Sequence, residues 1–221
     1  MKRMNEKALR EALKLYFVMG SANCREEPAE VLKKAIAGGI TMFQFREKGK
    51  GALTGAEKFA LAEELHYICK KAGIPFIVDD DIPLALALNA DGVHIGQEDD
   101  PIERAREKIG DRILGVSVHR AEEAKAAIEK GADYLGVGPI FPTKTKEDAR
   151  SAIGTGLIRK LRSEGYTIPM VGIGGIQPEN AASVMEAGAD GVAVISAISA
   201  AENVIQAAKT LKECVLLKSK R

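Results

Sequence analysis

Short unbroken apolar runs alternate along the chain with longer segments whose apolar positions recur every three or four residues. An unbroken run suits a strand buried on both faces of a parallel sheet, and the three–four spacing suits an amphipathic helix packed against that sheet. The pattern predicts a polar helix at about 5–12, then strands at 13–19, 41–46, 76–78, 91–95, 113–117 and 133–138, with two more inside 168–176 and 188–196. Helices are predicted at 28–37, 54–71, 84–88, from Asp100-Pro101 onward, at 121–129, around 157–161, between the last two strands, and at 201–212. Glycine closes several of them, and acid followed by proline opens the one at Asp100.

A strand–helix unit therefore recurs roughly every 25 to 30 residues, the spacing of a (β/α)8 TIM barrel. The joints before three strands also echo one another: Asn89-Ala90-Asp91-Gly92, Gly131-Ala132-Asp133 and Gly188-Ala189-Asp190-Gly191. An open doubly wound sheet is the alternative. Eight units, no dinucleotide-type glycine fingerprint and no break in composition favour one closed barrel over residues 1–221, with its active site at the C-terminal ends of the strands.

The seventh run ends in Gly172-Ile173-Gly174-Gly175-Ile176, and the eighth leads through Val194-Ile195 to Ser196. Glycine lets backbone N–H groups approach an anion with no Cβ in the way, so this stretch reads as a phosphate site between the last two loops. The competing reading is a tight strand-to-helix turn and nothing more. The second strand ends in Gln44-Phe45-Arg46-Glu47-Lys48, and period-two alternation sends Gln44, Arg46 and Lys48 to one side. An amide, a guanidinium and an ammonium on one face suit a ligand rich in phosphate oxygens.

Asp79-Asp80-Asp81 follows the third strand, and His94-Ile95-Gly96-Gln97-Glu98-Asp99-Asp100 follows the fourth. Asp81 and Asp100 read as helix caps. That leaves Asp80 and Asp99 as hard oxygen ligands for a Mg2+ ion bridging protein and phosphate. His94 reads as a packed strand-end histidine, and no second histidine or cysteine nearby suggests zinc. Ser117 and His119 share a strand face without an acid to complete a triad. The loop at 139–154 is longer than most strand-to-helix connections and carries Thr143-Lys144-Thr145-Lys146, which makes it a candidate active-site cover.

Composition narrows the ligand class. A net charge of +1 gives no overall field for nucleic acid or an acidic membrane, so any anion must be held locally. Aromatic residues make up 5% with no Trp, which leaves little material for stacking bases. No signal-type or membrane-spanning apolar stretch is apparent, so the expected location is cytoplasmic. The three cysteines are widely separated and read as reduced, inert thiols.

Taken together and in order, these motifs resemble the thiamine-phosphate synthase family over nearly the whole chain. The resemblance implies a Mg2+-assisted transferase that joins 4-amino-2-methyl-5-(diphosphomethyl)pyrimidine to 4-methyl-5-(2-phosphoethyl)thiazole, releasing diphosphate. Carried over by position, Gln44, Arg46, Lys48, Asp79, Ser117 and Lys146 hold the pyrimidine diphosphate, with Arg46, Lys48, Ser117 and Lys146 acting in catalysis. Asp80 and Asp99 hold magnesium; Thr143, Thr145, Gly175, Ile195 and Ser196 hold the thiazole phosphate. Most members have asparagine where this chain has Asp79, a carboxylate that would accept from the pyrimidine amino group, join the metal shell or stay protonated. A thiazole tautomerase on the same barrel, a phosphosugar epimerase and a non-catalytic phosphate-binding barrel are the alternatives. The partners expected are small phosphorylated molecules, with a homo-oligomer left open.

Overall fold

The computed structural model describes residues 4–143, Thr145 and residues 151–218. Each apolar run forms a parallel strand: β1 (Leu15–Met19), β2 (Met42–Phe45), β3 (Phe76–Asp79), β4 (Gly92–Ile95), β5 (Ile113–Val118), β6 (Tyr134–Val137), β7 (Met170–Ile173) and β8 (Gly191–Val194). Each strand pairs with the next, and β8 pairs back onto β1 with Tyr16 opposite Ala193, so the sheet closes into a barrel. The helices are α1 (Glu6–Leu13), α2 (Pro28–Gly38), α3 (Gly55–Ala72), α4 (Ile82–Ala87), α5 (Ile102–Ile109), α6 (Ala121–Glu129), α7 (Gly156–Ser163), α8 (Pro178–Glu186), α9 (Ser196–Ser199) and α10 (Val204–Lys218). The (β/α)8 barrel expected from the sequence is the fold observed. Among the described residues no helix is long and apolar enough to cross a membrane.

Strand alternation divides the apolar residues into two cores. Phe17, Phe43, Phe45, Phe76, Val93 and Leu114 point outward beneath the helices. Tyr16, Val18, Met42, Ile77, Tyr134 and Val171 point inward, and Leu9 and Leu13 of α1 join them. That inner set fills the barrel, leaving open only the rim at the strands' C-terminal ends.

The repeated aspartate joints have a shared structural role at the opposite end. Asp91, Asp133 and Asp190 each accept, at 2.8 Å, a backbone N–H from the strand before: Phe76, Leu114 and Met170 respectively. Arg106 also bonds Asp133, at 2.6 Å, and Arg162 bonds Asp190, at 2.8 Å. These carboxylates pin the starts of neighbouring strands, far from the rim.

Some boundaries move. β1 starts at Leu15 and not Leu13, because Leu13 completes α1. The last helix lies three residues later than expected at its start, since a single turn, α9, intervenes. Asp81 caps α4, accepting from Leu84 N at 3.0 Å. Asp100 does not cap α5: Pro101 holds that position with no side-chain bond, and Asp100 pairs with Lys108 at 2.6 Å. Proline fixes φ at the start of the helix, leaving the acid one residue too early to reach its N–H groups.

Candidate active site

A cavity of about 280 Å³ opens at the C-terminal rim. Arg46 and Lys48 after β2, Asp79 and Asp80 at the tip of β3, Asp99 after β4 and Ser117 on β5 line one part of its wall. Thr143, Thr145, Gly175, Ile195 and Ser196, from the loops after β6, β7 and β8, line the other. Gln44 faces the interior as alternation requires, but it is buried below the cavity wall, where its Nε2 donates to Tyr16 Oη at 2.7 Å. Lys146, and Lys144 beside it, lie outside the described residues.

The outward partner of this alternating set organises the loops. Glu47 accepts from Ser21 N at 2.7 Å, Ser21 Oγ at 2.5 Å and Leu53 N at 2.8 Å, tying the loop after β1 to the loop after β2. With Glu47 so held, Arg46 and Lys48 turn the other way. Arg46 pairs with Asp79, and Lys48 brings its Nζ against Asp80 Oδ2 and within 3.9 Å of Asp99 Oδ1.

That last arrangement tests the metal assignment. Two carboxylates from different strand tips converge on one point, and a cation, the Lys48 ammonium, sits there. Among the described residues no cluster of three or more His, Cys, Asp or Glu side chains could enclose a metal. Magnesium is ordinarily held by only one or two carboxylates plus water and substrate phosphate, so this donor set fits Mg2+ and does not fit zinc. Asp99 is also positioned from below, its Oδ2 accepting from Gly96 N at 2.7 Å.

At the other end of the cavity, Gly174 and Gly175 have φ of 98° and 63°, a region that L side chains rarely adopt. A Cβ on Gly175 would lie 2.6 Å from Pro142 O, so backbone of the loop after β6 packs directly on backbone after β7. Thr145 Oγ1 and Ser196 Oγ meet at 3.0 Å across this floor. The two glycines thus serve a close backbone packing, as the tight-turn reading expects, and the Thr145 and Ser196 hydroxyls are polar groups that can meet a small anion at this end.

Beneath the cavity lies a polar layer that sequence reasoning missed. Tyr16 Oη meets Tyr134 Oη at 2.9 Å, Tyr134 Oη meets His94 Nδ1 at 2.9 Å, and His94 Nε2 meets Ser117 Oγ at 2.8 Å. Burial pushes both phenols well above their ordinary pKa. Both stay protonated. His94, read as a packed histidine, is packed and also bonded through both ring nitrogens. Gln97 adds a bond from Nε2 to Ser117 O at 2.7 Å. The tyrosines gave no sequence signal because each sits inside an apolar run.

A closed barrel with a polar cavity at the C-terminal rim of its strands defines the class of (β/α)8-barrel enzymes. Residues 15–198 match the family model described as thiamine monophosphate synthase. The chain is 59% identical over 213 residues to a thiamine-phosphate synthase of Bacillus cereus, covering 96% of this chain and 95% of that one. It is 58% identical to one from Bacillus thuringiensis, covering 96% and 97%. The structure of a thiamine phosphate pyrophosphorylase from Pyrococcus furiosus superposes with a TM-score of 0.85 at 41% identity, covering 95% and 98%. The chain belongs to the thiamine monophosphate synthase family, whose members are transferases.

Proposed function

We propose that this barrel joins 4-amino-2-methyl-5-(diphosphomethyl)pyrimidine to 4-methyl-5-(2-phosphoethyl)thiazole, giving thiamine phosphate and diphosphate. One observation supports this reading above the others: the same cavity has a cation set between paired carboxylates at one end and a glycine–hydroxyl floor at the other. Two phosphorylated substrates need two such ends. A tautomerase would use only the glycine end.

Arg46 and Lys48 would grip the diphosphate, Ser117 would donate to it, and Lys146 is assigned the same role from the resemblance. These groups stabilise charge that grows on the leaving diphosphate, where preorganised electrostatics act most strongly. Mg2+ held by Asp80 and Asp99 would supply further neutralisation of the diphosphate oxygens. Thr145, Ser196 and the backbone at Gly175 would hold the thiazole phosphate, with Thr143 and Ile195 completing its pocket. The electron-rich aminopyrimidine tolerates positive charge at its exocyclic carbon as the C–O bond breaks, and the thiazole nitrogen then attacks that carbon. No general base is required. We place this reaction in the cytoplasm.

The test supplies both substrates with and without magnesium and measures thiamine phosphate and diphosphate. Equimolar, magnesium-dependent formation of the two is expected. Binding of the thiazole phosphate with no condensation product would overturn the reading.

A further inference from the structure

The hydrogen-bonded layer under the cavity has a direction. Gln44 Nε2 is a donor and gives its hydrogen to Tyr16 Oη. The Tyr16 hydroxyl then has its own proton to place, and Tyr134 Oη, 2.9 Å away, is the oxygen within reach to accept it. Tyr134, having accepted, passes its proton toward His94 Nδ1, also at 2.9 Å. An imidazole that accepts at Nδ1 and is neutral carries its hydrogen on Nε2. That hydrogen points at Ser117 Oγ, 2.8 Å away. The serine hydroxyl has then received one bond, and its proton is left to be donated into the cavity that Ser117 lines.

We propose that Gln44, Tyr16, Tyr134 and His94 act as a one-way chain of positioning residues that fixes the Ser117 hydroxyl as a hydrogen-bond donor toward the leaving diphosphate. The opposite polarity would run the serine proton down to His94 and present lone pairs to an anion, which repels what the site must bind. Glycines in two strands make room for the chain. A Cβ on Gly115 would lie 2.1 Å from Tyr134 Cζ and 2.4 Å from His94 Nδ1, and one on Gly136 would lie 3.0 Å from His94 Cε1. The barrel has thus given up interior side-chain volume at two positions where Tyr134 and His94 pass. With Gln44 Nε2 as the donor at its buried end, the reverse order would leave the Tyr16 hydroxyl hydrogen without an acceptor in the layer, and that cost holds the direction.

The inference deepens the activity proposed above, and its first readout is independent of that activity. Long-range 15N–1H spectra of protein labelled at its three histidines report each ring's tautomer. His94 is assigned by loss of its signals in His94→Gln. The Nε2–H form is expected for His94. An Nδ1–H form or an imidazolium would overturn the chain's direction whatever the enzyme catalyses.

The second readout is kinetic and rests on the proposed reaction. Tyr134→Phe should lower kcat about tenfold with little change in either KM, less than the roughly hundredfold or greater loss on removing an anion-stabilising donor outright. Because Tyr134 acts through Ser117, the same substitution in a Ser117→Ala background should cost nothing more. A full additional loss in that background would show a merely structural role and overturn the proposal. Should Tyr134→Phe fail to fold, Tyr16→Phe enters the same cycle, and the tautomer of the unaltered protein still decides the direction.

Discussion

Arg46 Nε lies 3.3 Å from Asp79 Oδ2 across β2 and β3, with each side chain only 8% exposed. The guanidinium assigned to the diphosphate is therefore braced by a carboxylate, at the position where the family resemblance leads one to expect asparagine. Asp79→Asn keeps the shape and drops a negative charge beside an anionic substrate. The expected outcome is a KM for the pyrimidine diphosphate about fivefold lower, for ~1 kcal/mol of relieved repulsion at partly screened range. Half-saturating magnesium should not move. If it rises instead, Asp79 belongs to the metal shell and not to Arg46.

If Asp80 and Asp99 hold the ion as proposed, Asp80→Asn and Asp99→Asn should each raise the magnesium concentration needed for half-maximal rate by at least about tenfold, because each removes a charged oxygen from the proposed pair. Magnesium titrations at saturating substrates measure this directly. An unchanged requirement in both variants would remove these residues from the metal site.

Gly115→Ala should destabilise the barrel by about 1–3 kcal/mol through overpacking against Tyr134 and His94, and it should lower activity at the same time. Gly156→Ala is the control, since its Cβ would meet nothing within 4 Å. Urea midpoints and rates for the two variants make the comparison. Equal stability would mean that the interior layer yields at no cost.

Asp81 accepts from both Leu84 N at 3.0 Å and Lys58 Nζ at 2.7 Å. Burial raises its pKa, but the bonds from Lys58 and Leu84 outweigh that, and the net shift is downward from 3.8. A carboxyl depressed in the folded state stabilises fully above its unfolded pKa and loses that contribution as pH falls through the folded value. Asp81→Ala should therefore cost about 1 kcal/mol at pH 7 as a lost helix cap. Its gap from the unaltered protein should narrow only below pH 3.8. Denaturant midpoints from neutral pH to pH 3 would show the convergence; a gap that does not change with pH would mean that the cap acts without its charge.

The barrel was legible because each strand is buried on both faces, which turns alternation into an unbroken apolar run such as Tyr16-Phe17-Val18-Met19. The positions at the rim were legible for a related reason: past such a run, every second residue faces the cavity mouth, as Arg46 and Lys48 do while Glu47 between them turns away to Ser21 and Leu53. Depth was harder to read. Gln44 and Arg46 share a face, yet two residues of rise separate a group under the floor from one in the wall. Tyr16 and Tyr134 looked like core because a phenol is mostly apolar, and the partners of their hydroxyls come from other strands, beyond the reach of any local pattern. Asp100 failed as a cap because the adjacent proline took the position, a matter of one residue that spacing does not resolve.

The pairing of β8 with β1 carries a consequence for assembly. Until residues 191–194 seat between their two neighbours, β1 and β7 both present rows of unsatisfied N–H and C=O groups, the kind of margin that recruits other chains. A fragment ending ahead of Gly191 would thus be an adhesive, two-edged sheet and not a smaller version of the enzyme. The hydroxyl floor of the cavity would be missing as well, because Ser196 arrives only with the strand that seals the ring.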